Sequence, residues 1–307
     1  MTFRSNPCLL FALALAYLLS AIAIAALLAY PVYQLIDLKV SFPRLVNRLG
    51  LGLLILGIFP LRKIIGLSAA EMGFPDDMRI FFKQLVHGFG IGLAILALVI
   101  FVLIALEVRT TTANPFDNAN LFMRHLCGAF ASGVLVALAE EPLFRGLLFG
   151  AATKYGKLLP AFFITAFFYA GLHFISGRGE VSVDQLHWLS GLELVPPALL
   201  RIFEPSNLDS FAALFVVSLF LTTVLSAKPR GIGYCIGLHA SWVFLLKLTK
   251  RYTEVVPDSP WHFLVGSYDG IIGYLVALWL LLVTFAYQFR ISRSRNAPPA
   301  SCADEPA

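Results

Sequence analysis

The sequence predicts an all-α protein, a polytopic membrane bundle of about eight transmembrane helices. Three observations predict it: 59% of the 307 residues are hydrophobic, only 13% are charged, and the mean hydropathy is +0.81. A soluble domain carries roughly 25% charged residues, so this composition excludes a water-exposed surface. The apolar runs are continuous and longer than a strand needs, which also excludes a transmembrane barrel.

Three of these spans are predicted within residues 1–120. Residues 5–36 contain no charged side chain, a run long enough to cross a bilayer and too long for the apolar part of a secretory signal. Residues 46–65 cross the membrane if their basic side chains extend to the headgroups, and residues 84–106 are free of formal charge. We therefore expect an N-terminal unit of three spans.

The connection between the second and third spans carries capping and turn signals. Ser68 and Glu71 have the spacing of a capping box, in which each side chain satisfies the backbone N–H of the other residue. The amphipathic piece that follows presents Arg79 and Lys83 on its polar side. We expect this piece to lie on the membrane surface.

Residues 121–250 predict four more spans and one long loop. The apolar runs lie at residues 121–153, 158–176, 208–227 and 231–248. Pro142 lacks an N–H and crowds the preceding turn, so it is expected to bend the first run. The loop, residues 178–209, contains five acidic residues and a Pro-Pro break. It is expected to be either a lid or recognition element or a simple polar connector.

Residues 251–307 predict the eighth span, at residues 270–289, and a basic C-terminal tail. The arginines of the tail are typical of an anchor at the cytoplasmic end of a helix, so nucleic acid is not expected as a partner. The expected surroundings are the lipid bilayer. We expect an integral multi-pass membrane protein, located in the plasma (inner) membrane if the cell is bacterial.

The deepest ionisable residues of the spans require an explanation, because a charged side chain near the bilayer centre costs about 2.5 to 3.5 kcal/mol on insertion scales. These residues are Glu140, Glu141, Arg145, His173 and His239. Glu141 and Arg145 are four residues apart and share one helix face, which predicts an ion pair. Glu140 points roughly 100° away from Glu141 and has no neutralising neighbour on its own helix.

Helical rise places Glu140, His173 and His239 within about 9 Å of one depth in the membrane. Neighbouring helices would then bring one carboxylate and two imidazoles into a single buried pocket. A carboxylate in such a pocket is suited to act as a general base. This predicts hydrolysis, in which Glu140 deprotonates a water held against His173 while His239 donates a hydrogen bond to the developing oxyanion.

The same residues leave two other interpretations open. Glu140 and the two histidines could bind Zn²⁺, but the sequence contains no HExxH motif and the ligands would come from three helices, so a metal cofactor is not favoured. The second interpretation is a proton-coupled membrane transporter, in which Glu140, His173 and His239 relay protons.

Three sequence motifs lie on successive spans in a fixed order. They are Glu140-Glu141-x-x-x-Arg145, then Tyr169-x-x-x-His173, then His239 within Gly-Leu-His-Ala-Ser-Trp242. Together they resemble the signature of the CAAX-processing and bacteriocin-processing family (CPBP, or Abi) of glutamic intramembrane proteases. The resemblance extends over residues 131–244.

The resemblance implies an eight-helix bundle and an endopeptidase that acts on a membrane-associated peptide or protein without a cofactor. In that family the first-motif glutamate, here Glu140, and the second-motif histidine, here His173, activate water. The third-motif histidine, here His239, helps to bind the oxyanion. Glu141 and Arg145 support the site.

Two positions depart from the pattern of the family. The second motif usually begins with Phe, where this chain has Tyr169, and the family usually has Asn or Asp four residues after the last His, where this chain has Val243. Loss of an oxyanion donor costs about 2.7 to 4 kcal/mol in comparable enzymes. Trp242, Ser241 or Tyr169 are candidate replacements. Without a replacement, a catalytically silent immunity or binding protein becomes the third interpretation.

Overall fold

The computed structural model describes residues 6–36, 40–112, 114, 117–175 and 183–296, and within them the chain is a bundle of helices. In chain order, the helices up to residue 174 are α1 (Pro7–Leu35), α2 (Phe42–Ile65), α3 (Met78–Ala105), α4 (Ala119–Glu141), α5 (Gly150–Tyr155) and α6 (Leu158–Phe174). Those that follow are α7 (Ser190–Glu193), α8 (Val195–Leu200), α9 (Leu208–Ala227), α10 (Ile232–Tyr252) and α11 (Tyr274–Asn296). This architecture confirms the predicted polytopic helical fold.

Six helices in the described part of the chain are long and apolar enough to cross a membrane. They are α1, α3, the continuous helix Ala119–Tyr155, α9, α10 and α11. The other two predicted spans are α2 and α6. α2 carries basic residues near both ends, and α6 is apolar but only 17 residues long. Both helices nevertheless pack within the bundle, α2 against α1 and α6 against α9.

The connection between α2 and α3 contains the expected capping box. The backbone N–H and the hydroxyl of Ser68 both donate to Glu71 Oε2, at 2.8 and 2.9 Å. Asp77 then caps α3, because its Oδ1 accepts from the N–H of Arg79 at 2.8 Å. The amphipathic piece with Lys83 is therefore the first part of α3 and not a separate element. Its position at the membrane surface stays a prediction.

Pro142 changes the helix type instead of breaking the helix. Residues Pro142–Phe149 form a π-helical segment that joins α4 to α5 without interruption. Pro142 lacks an N–H, so the carbonyl of Leu138 loses its usual donor, and a wider turn accommodates the fault. We expected a bend at this point, and the structure has a π-helical segment there.

α10 is the central helix of the bundle and packs against α3, α4 and α9. Its approach to α3 depends on glycine. A Cβ atom on Gly88 of α3 would lie 2.9 Å from the Cα atom of Tyr234, and one on Gly237 of α10 would lie 2.6 Å from the backbone nitrogen of Phe89. Small residues let membrane helices approach closely, so these glycines fix the position of α10 and of the side chains it carries.

The predicted loop, residues 178–209, lies partly outside the described residues, which resume at residue 183. From there it forms short helices, including α7 and α8, that lead into α9. α7 packs against α1, with Gly191 directly on the backbone of Ala26. Its role as a lid or recognition element stays a prediction.

One feature of the fold was not predicted. β1 (Arg109–Thr111) and β2 (Thr253–Val255) form a two-stranded antiparallel sheet, with Arg109 opposite Val255. The sheet joins the chain after α3 to the chain after α10. The segment between β2 and α11 starts from this sheet and leads back toward the centre of the bundle.

Candidate active site

α4, the π-helical segment that continues it, α6 and α10 bring the motif residues together. Glu140 and Glu141 end α4, and Arg145 lies in the π-helical segment that follows. His173 lies in the last turn of α6, and His239 lies near the middle of α10. The residues for which the sequence predicted a common depth thus lie in one cluster of side chains.

Glu141, Arg145 and His239 form a buried ionic group. Glu141 Oε1 lies 3.2 Å from Arg145 Nη1 and 2.7 Å from His239 Nδ1. The side chains of Glu141 and Arg145 are both 0% exposed. Arg145 also donates to the hydroxyl of Ser218 on α9, at 3.3 Å. The expected i,i+4 ion pair is present, and it connects α4 to both α9 and α10.

Glu140 faces both histidines from the opposite side of the cluster. Its Oε2 atom lies 4.0 Å from His173 Nε2 and 3.9 Å from His239 Nε2. These distances are too long for direct hydrogen bonds. The same oxygen is buried and has no hydrogen-bond partner in the structure, which is costly for a carboxylate unless a small polar molecule completes the site.

The hydrogen bonds of the two histidines fix which ring nitrogen carries the proton. His173 Nδ1 lies 2.7 Å from the carbonyl oxygen of Tyr169, which can only accept, so Nδ1 donates. His239 Nδ1 donates to Glu141, a carboxylate that also accepts from Arg145. In the neutral rings, Nε2 is therefore the acceptor on both histidines, and both Nε2 atoms face Glu140.

Two cavities meet at this cluster. One, of about 230 Å³, extends between α3, α10 and α11 and is lined by His239 and Val243 among others. The other, of about 250 Å³, extends between α1, α2 and α6. Glu140 and His173 line both cavities. The carboxylate of Glu140 therefore borders both cavities.

Two of the three candidate replacements for the missing oxyanion donor are already engaged. The indole N–H of Trp242 donates to the carbonyl oxygen of Gly92 at 3.0 Å. The hydroxyl of Ser241 donates to the carbonyl oxygen of Leu238 at 2.7 Å. Tyr169 lines the cavity, with its ring 4.5 Å from the guanidinium carbon of Arg145. Val243 lines the same cavity and offers no donor.

Within the described residues, no group of three or more His, Cys, Asp or Glu side chains has an arrangement that could hold a metal ion. The functional role of the cluster and its independence from a cofactor both stay predictions.

Sequence reasoning missed two residues that belong to the site. Ser218 is the third partner of Arg145, and Tyr268 lines both cavities. Ser218 had no signal beyond being a polar residue within an apolar span. Tyr268 lies in a Gly-Ser-Tyr-Asp-Gly turn. The sequence of this turn has no helix or strand periodicity from which its position beside the cluster could be predicted.

Comparison with known proteins identifies one related segment. Residues 122–245 match the family model described as type II CAAX prenyl endopeptidase, Rce1-like. This segment contains all three motifs, and the match confirms the family resemblance that the motifs predicted. No curated protein and no solved structure matches the chain.

Proposed function

We propose, from the premise that residues 122–245 carry an Rce1-like domain, that this membrane protein is a glutamic intramembrane endopeptidase. Its substrate is a membrane-associated protein or peptide. The reaction is hydrolysis of a peptide bond, with water as the nucleophile and no cofactor. Glu140, His173 and His239 are the residues that act on the reacting atoms.

The observation that carries this proposal is the 4.0 Å separation between Glu140 Oε2 and His173 Nε2. A water molecule at about 2.8 Å from each atom spans such a gap, and it would donate one hydrogen to each because both atoms are acceptors. Its lone pair is then directed away from both residues, toward a substrate carbonyl. Glu140 is thereby in position to remove a proton as the water attacks.

Charge balance supports a role for His239 as an electrophile. Two carboxylates and one guanidinium leave the cluster with one net negative charge, which a low-dielectric interior disfavours. A second proton on His239 balances this charge, and Glu141, 2.7 Å from Nδ1, stabilises the resulting imidazolium. The Nε2–H of the imidazolium then donates to the oxygen of the attacked carbonyl.

The proposed steps conserve atoms and charge. The water oxygen bonds to the carbonyl carbon, its proton passes to Glu140, and the π electrons of the carbonyl move to its oxygen. When the tetrahedral intermediate collapses, the C–N bond breaks and Glu140 returns the proton to the leaving amine. The products are a carboxylic acid and an amine, and the enzyme regains its starting state.

The decisive experiment compares the new peptide termini in membranes that contain the wild-type protein, Glu140→Gln, His173→Ala or Glu254→Gln. Glu254 is an exposed acid on β2, so its variant is the matched control. We expect the same new termini in the membranes with the wild-type protein and in those with Glu254→Gln. These termini should be absent from the membranes with Glu140→Gln and with His173→Ala. Identical termini in the Glu140→Gln membranes would contradict the proposal. If no sample showed cleavage and the wild-type protein carried a proton flux that Glu140→Gln abolished, the result would favour a proton-coupled transporter.

A further inference from the structure

The two ends of the helical bundle differ in charge. Lys154 of α5 donates to the carbonyl oxygen of Gly66 at 2.6 Å, and the N–H of Ile232 donates to the carbonyl oxygen of Gly73 at 3.0 Å. These bonds bring the end of α2, the end of α5 and the start of α10 together at one end of the bundle. We call it the basic end.

The chain direction assigns the remaining helices. α3 and α6 begin at the basic end, and α9 finishes there, just before α10. α11 also finishes there, because it starts beside the start of α9, where the hydroxyl of Ser210 donates to the carbonyl oxygen of Ile272 at 3.1 Å. The opposite end, which we call the sheet end, contains the two-stranded sheet, the ends of α1, α3, α6 and α10, and the starts of α2, α4, α9 and α11.

Exposed basic residues predominate at the basic end. Among the described residues, nine exposed lysines and arginines lie there, against three exposed acids, Glu71, Asp76 and Asp77. The nine are Lys63, Arg79, Lys83, Lys154, Lys157, Lys228, Arg230, Arg290 and Arg293.

The sheet end has the opposite balance, with six exposed basic residues and seven exposed acids in the part of the chain that the structure describes. The basic residues are Arg44, Arg48, Arg124, Lys247, Lys250 and Arg251. The acids are Glu107, Asp117, Asp184, Glu193, Glu204, Glu254 and Asp258. Lysine and arginine near the ends of membrane helices are enriched on the cytoplasmic side, where anionic lipids attract them. The exposed charges therefore favour an orientation with the basic end in the cytoplasm.

The candidate active site lies toward the sheet end. The 230 Å³ cavity is lined by Tyr268 and Asp269, which belong to the segment between β2 and α11. The 250 Å³ cavity is lined by Val46 and Asn47 at the start of α2. His173, which lines both cavities, lies in the last turn of α6. Both cavities thus extend from the site toward the sheet end.

The chain closes the bundle between the site and the basic end. None of the described residues in the connections 66–77, 156–157 and 228–231 lines either cavity. Met72 of the first connection is buried and packs on the π-helical segment, since a Cβ atom on Gly146 would lie 3.0 Å from Met72 Cε.

A third cavity, of about 370 Å³, lies in the half of the bundle nearer the basic end, between α1, α2 and α6. Its lining is apolar except for Tyr17 and Tyr155. The Tyr17 hydroxyl donates to the carbonyl oxygen of Leu54 at 2.5 Å, and the Tyr155 hydroxyl donates to that of Ile65 at 2.6 Å. Neither Glu140 nor the motif histidines line this cavity, so it offers a peptide segment no polar path to the site.

We propose that the site opens toward the extracytoplasmic side of the membrane, so that the bond it cleaves lies in the outer half of the bilayer or just outside it. The substrate class is then a membrane-anchored protein or peptide whose cleaved segment has been inserted or translocated, and not a tail that stays in the cytoplasm. This inference rests on the proposed function of the site.

Cysteine labelling tests the orientation. In a chain that carries Cys8→Ser, Cys127→Ser and Cys302→Ser, we compare Asp258→Cys at the sheet end with Lys157→Cys at the basic end, two exposed positions outside the helices. A membrane-impermeant maleimide should label Asp258→Cys in right-side-out vesicles and Lys157→Cys in inverted vesicles. The reverse pattern would overturn the inference.

The side on which cleavage occurs tests the substrate class. Amino termini that depend on Glu140 are labelled with a membrane-impermeant amine reagent in both kinds of vesicle, with Glu140→Gln as the background. We expect these termini to be labelled in right-side-out vesicles. Labelling in inverted vesicles alone would overturn the inference and leave the proposed function intact. Identical termini in wild type and Glu140→Gln would refute the proposed function and this inference with it.

Discussion

Glu141 Oε1 lies 2.7 Å from His239 Nδ1, a contact that joins the end of α4 to the middle of α10. The same oxygen accepts from Arg145, so one buried carboxylate has two partners. It fixes the orientation of the His239 ring, so that Nε2 faces Glu140. In the proposed mechanism, one residue therefore serves both the stability of the bundle and the chemistry of the site.

Glu141→Gln should weaken both properties. Removing one partner of a buried pair typically costs about 3 to 5 kcal/mol, because Arg145 is left charged and poorly compensated. Thermal unfolding in detergent should show a lower midpoint, and cleavage should fall because the imidazolium of His239 loses its carboxylate. The two effects can be measured on one purified sample.

A double variant separates these two effects. Glu141→Gln with Arg145→Met removes the unpaired charge, so we expect much of the unfolding midpoint to return. Cleavage should stay low, since His239 still lacks its acidic partner. Recovery of activity together with stability would show that Glu141 acts only by holding the helices together.

Two glycines of α3 provide a matched test of helix packing. A Cβ on Gly88 would press on the backbone of Tyr234, whereas one on Gly90 would meet no atom within 4 Å. Gly88→Ala should therefore destabilise the protein by about 1 to 3 kcal/mol through overpacking. Gly90→Ala should leave stability unchanged or raise it by up to about 1 kcal/mol through helix propensity.

Unfolding midpoints of the two variants, measured in the same detergent, check this prediction. Equal midpoints for Gly88→Ala and Gly90→Ala would mean that α3 and α10 are not held together by close backbone contact. The position of His239 on α10 would then depend on other contacts.

The helices and the ion pair could be predicted from the sequence because both follow from local spacing. Glu141 and Arg145 are one helical turn apart, and helical rise alone places Glu140 and His239 at a similar depth. The π-helical segment was not predictable in the same way. Pro142 predicts a missing backbone hydrogen bond, but whether the helix bends there or adopts a wider π-helical turn depends on what packs around it.

Tyr268 illustrates a second kind of information that the sequence lacks. Its backbone N–H donates to the hydroxyl of Ser210, 58 residues away in the chain, and Arg109 donates to the carbonyl oxygen of Gly270 in the same turn, 161 residues away. No periodic pattern connects these residues. Contacts of this kind become visible only when the helices are assembled.

Activity should not depend on a bound metal ion. Among the described residues, no three His, Cys, Asp or Glu side chains are arranged so that they could hold a metal ion. Dialysis against a chelator should therefore leave the cleavage rate unchanged, while a zinc protease in the same buffer loses activity. A loss that added Zn²⁺ reverses would assign Glu140, His173 and His239 to a metal site.

The connection between α2 and α3 should make the stability of the fold sensitive to acid. Hydrogen bonds from the backbone N–H of Ser68, and then from Lys154 and the hydroxyl of Ser68, lower the pKa of Glu71 from its ordinary value of 4.5 to about 2. Lys154 Nζ lies 3.0 Å from Glu71 Oε1, so this carboxylate links the connection to α5.

The direction of the effect follows from linkage. Because the pKa of Glu71 is lower in the folded state, its contribution to stability is complete above about pH 4.5 and is lost as the pH falls toward about 2. The Glu71 side chain is 43% exposed, so the contribution is limited to about 1 kcal/mol by solvent screening. The unfolding midpoint of the wild-type protein should exceed that of Glu71→Gln by the same margin at pH 7 and pH 5.5, and this margin should shrink below pH 4.5.

Lys154→Met is the matched comparison, because it removes the ion pair and leaves both hydrogen bonds from Ser68 in place. Its unfolding midpoint should fall less than that of Glu71→Gln at pH 7, since the backbone N–H of Ser68 has the largest effect on the pKa of Glu71. If the two variants were equally destabilised, the contacts of Lys154 with Glu71 and with the carbonyl oxygen of Gly66, and not the capping box, would hold this connection. If the difference in unfolding midpoint between wild type and Glu71→Gln did not change with pH, the ionised carboxylate would be excluded as the source of this stability.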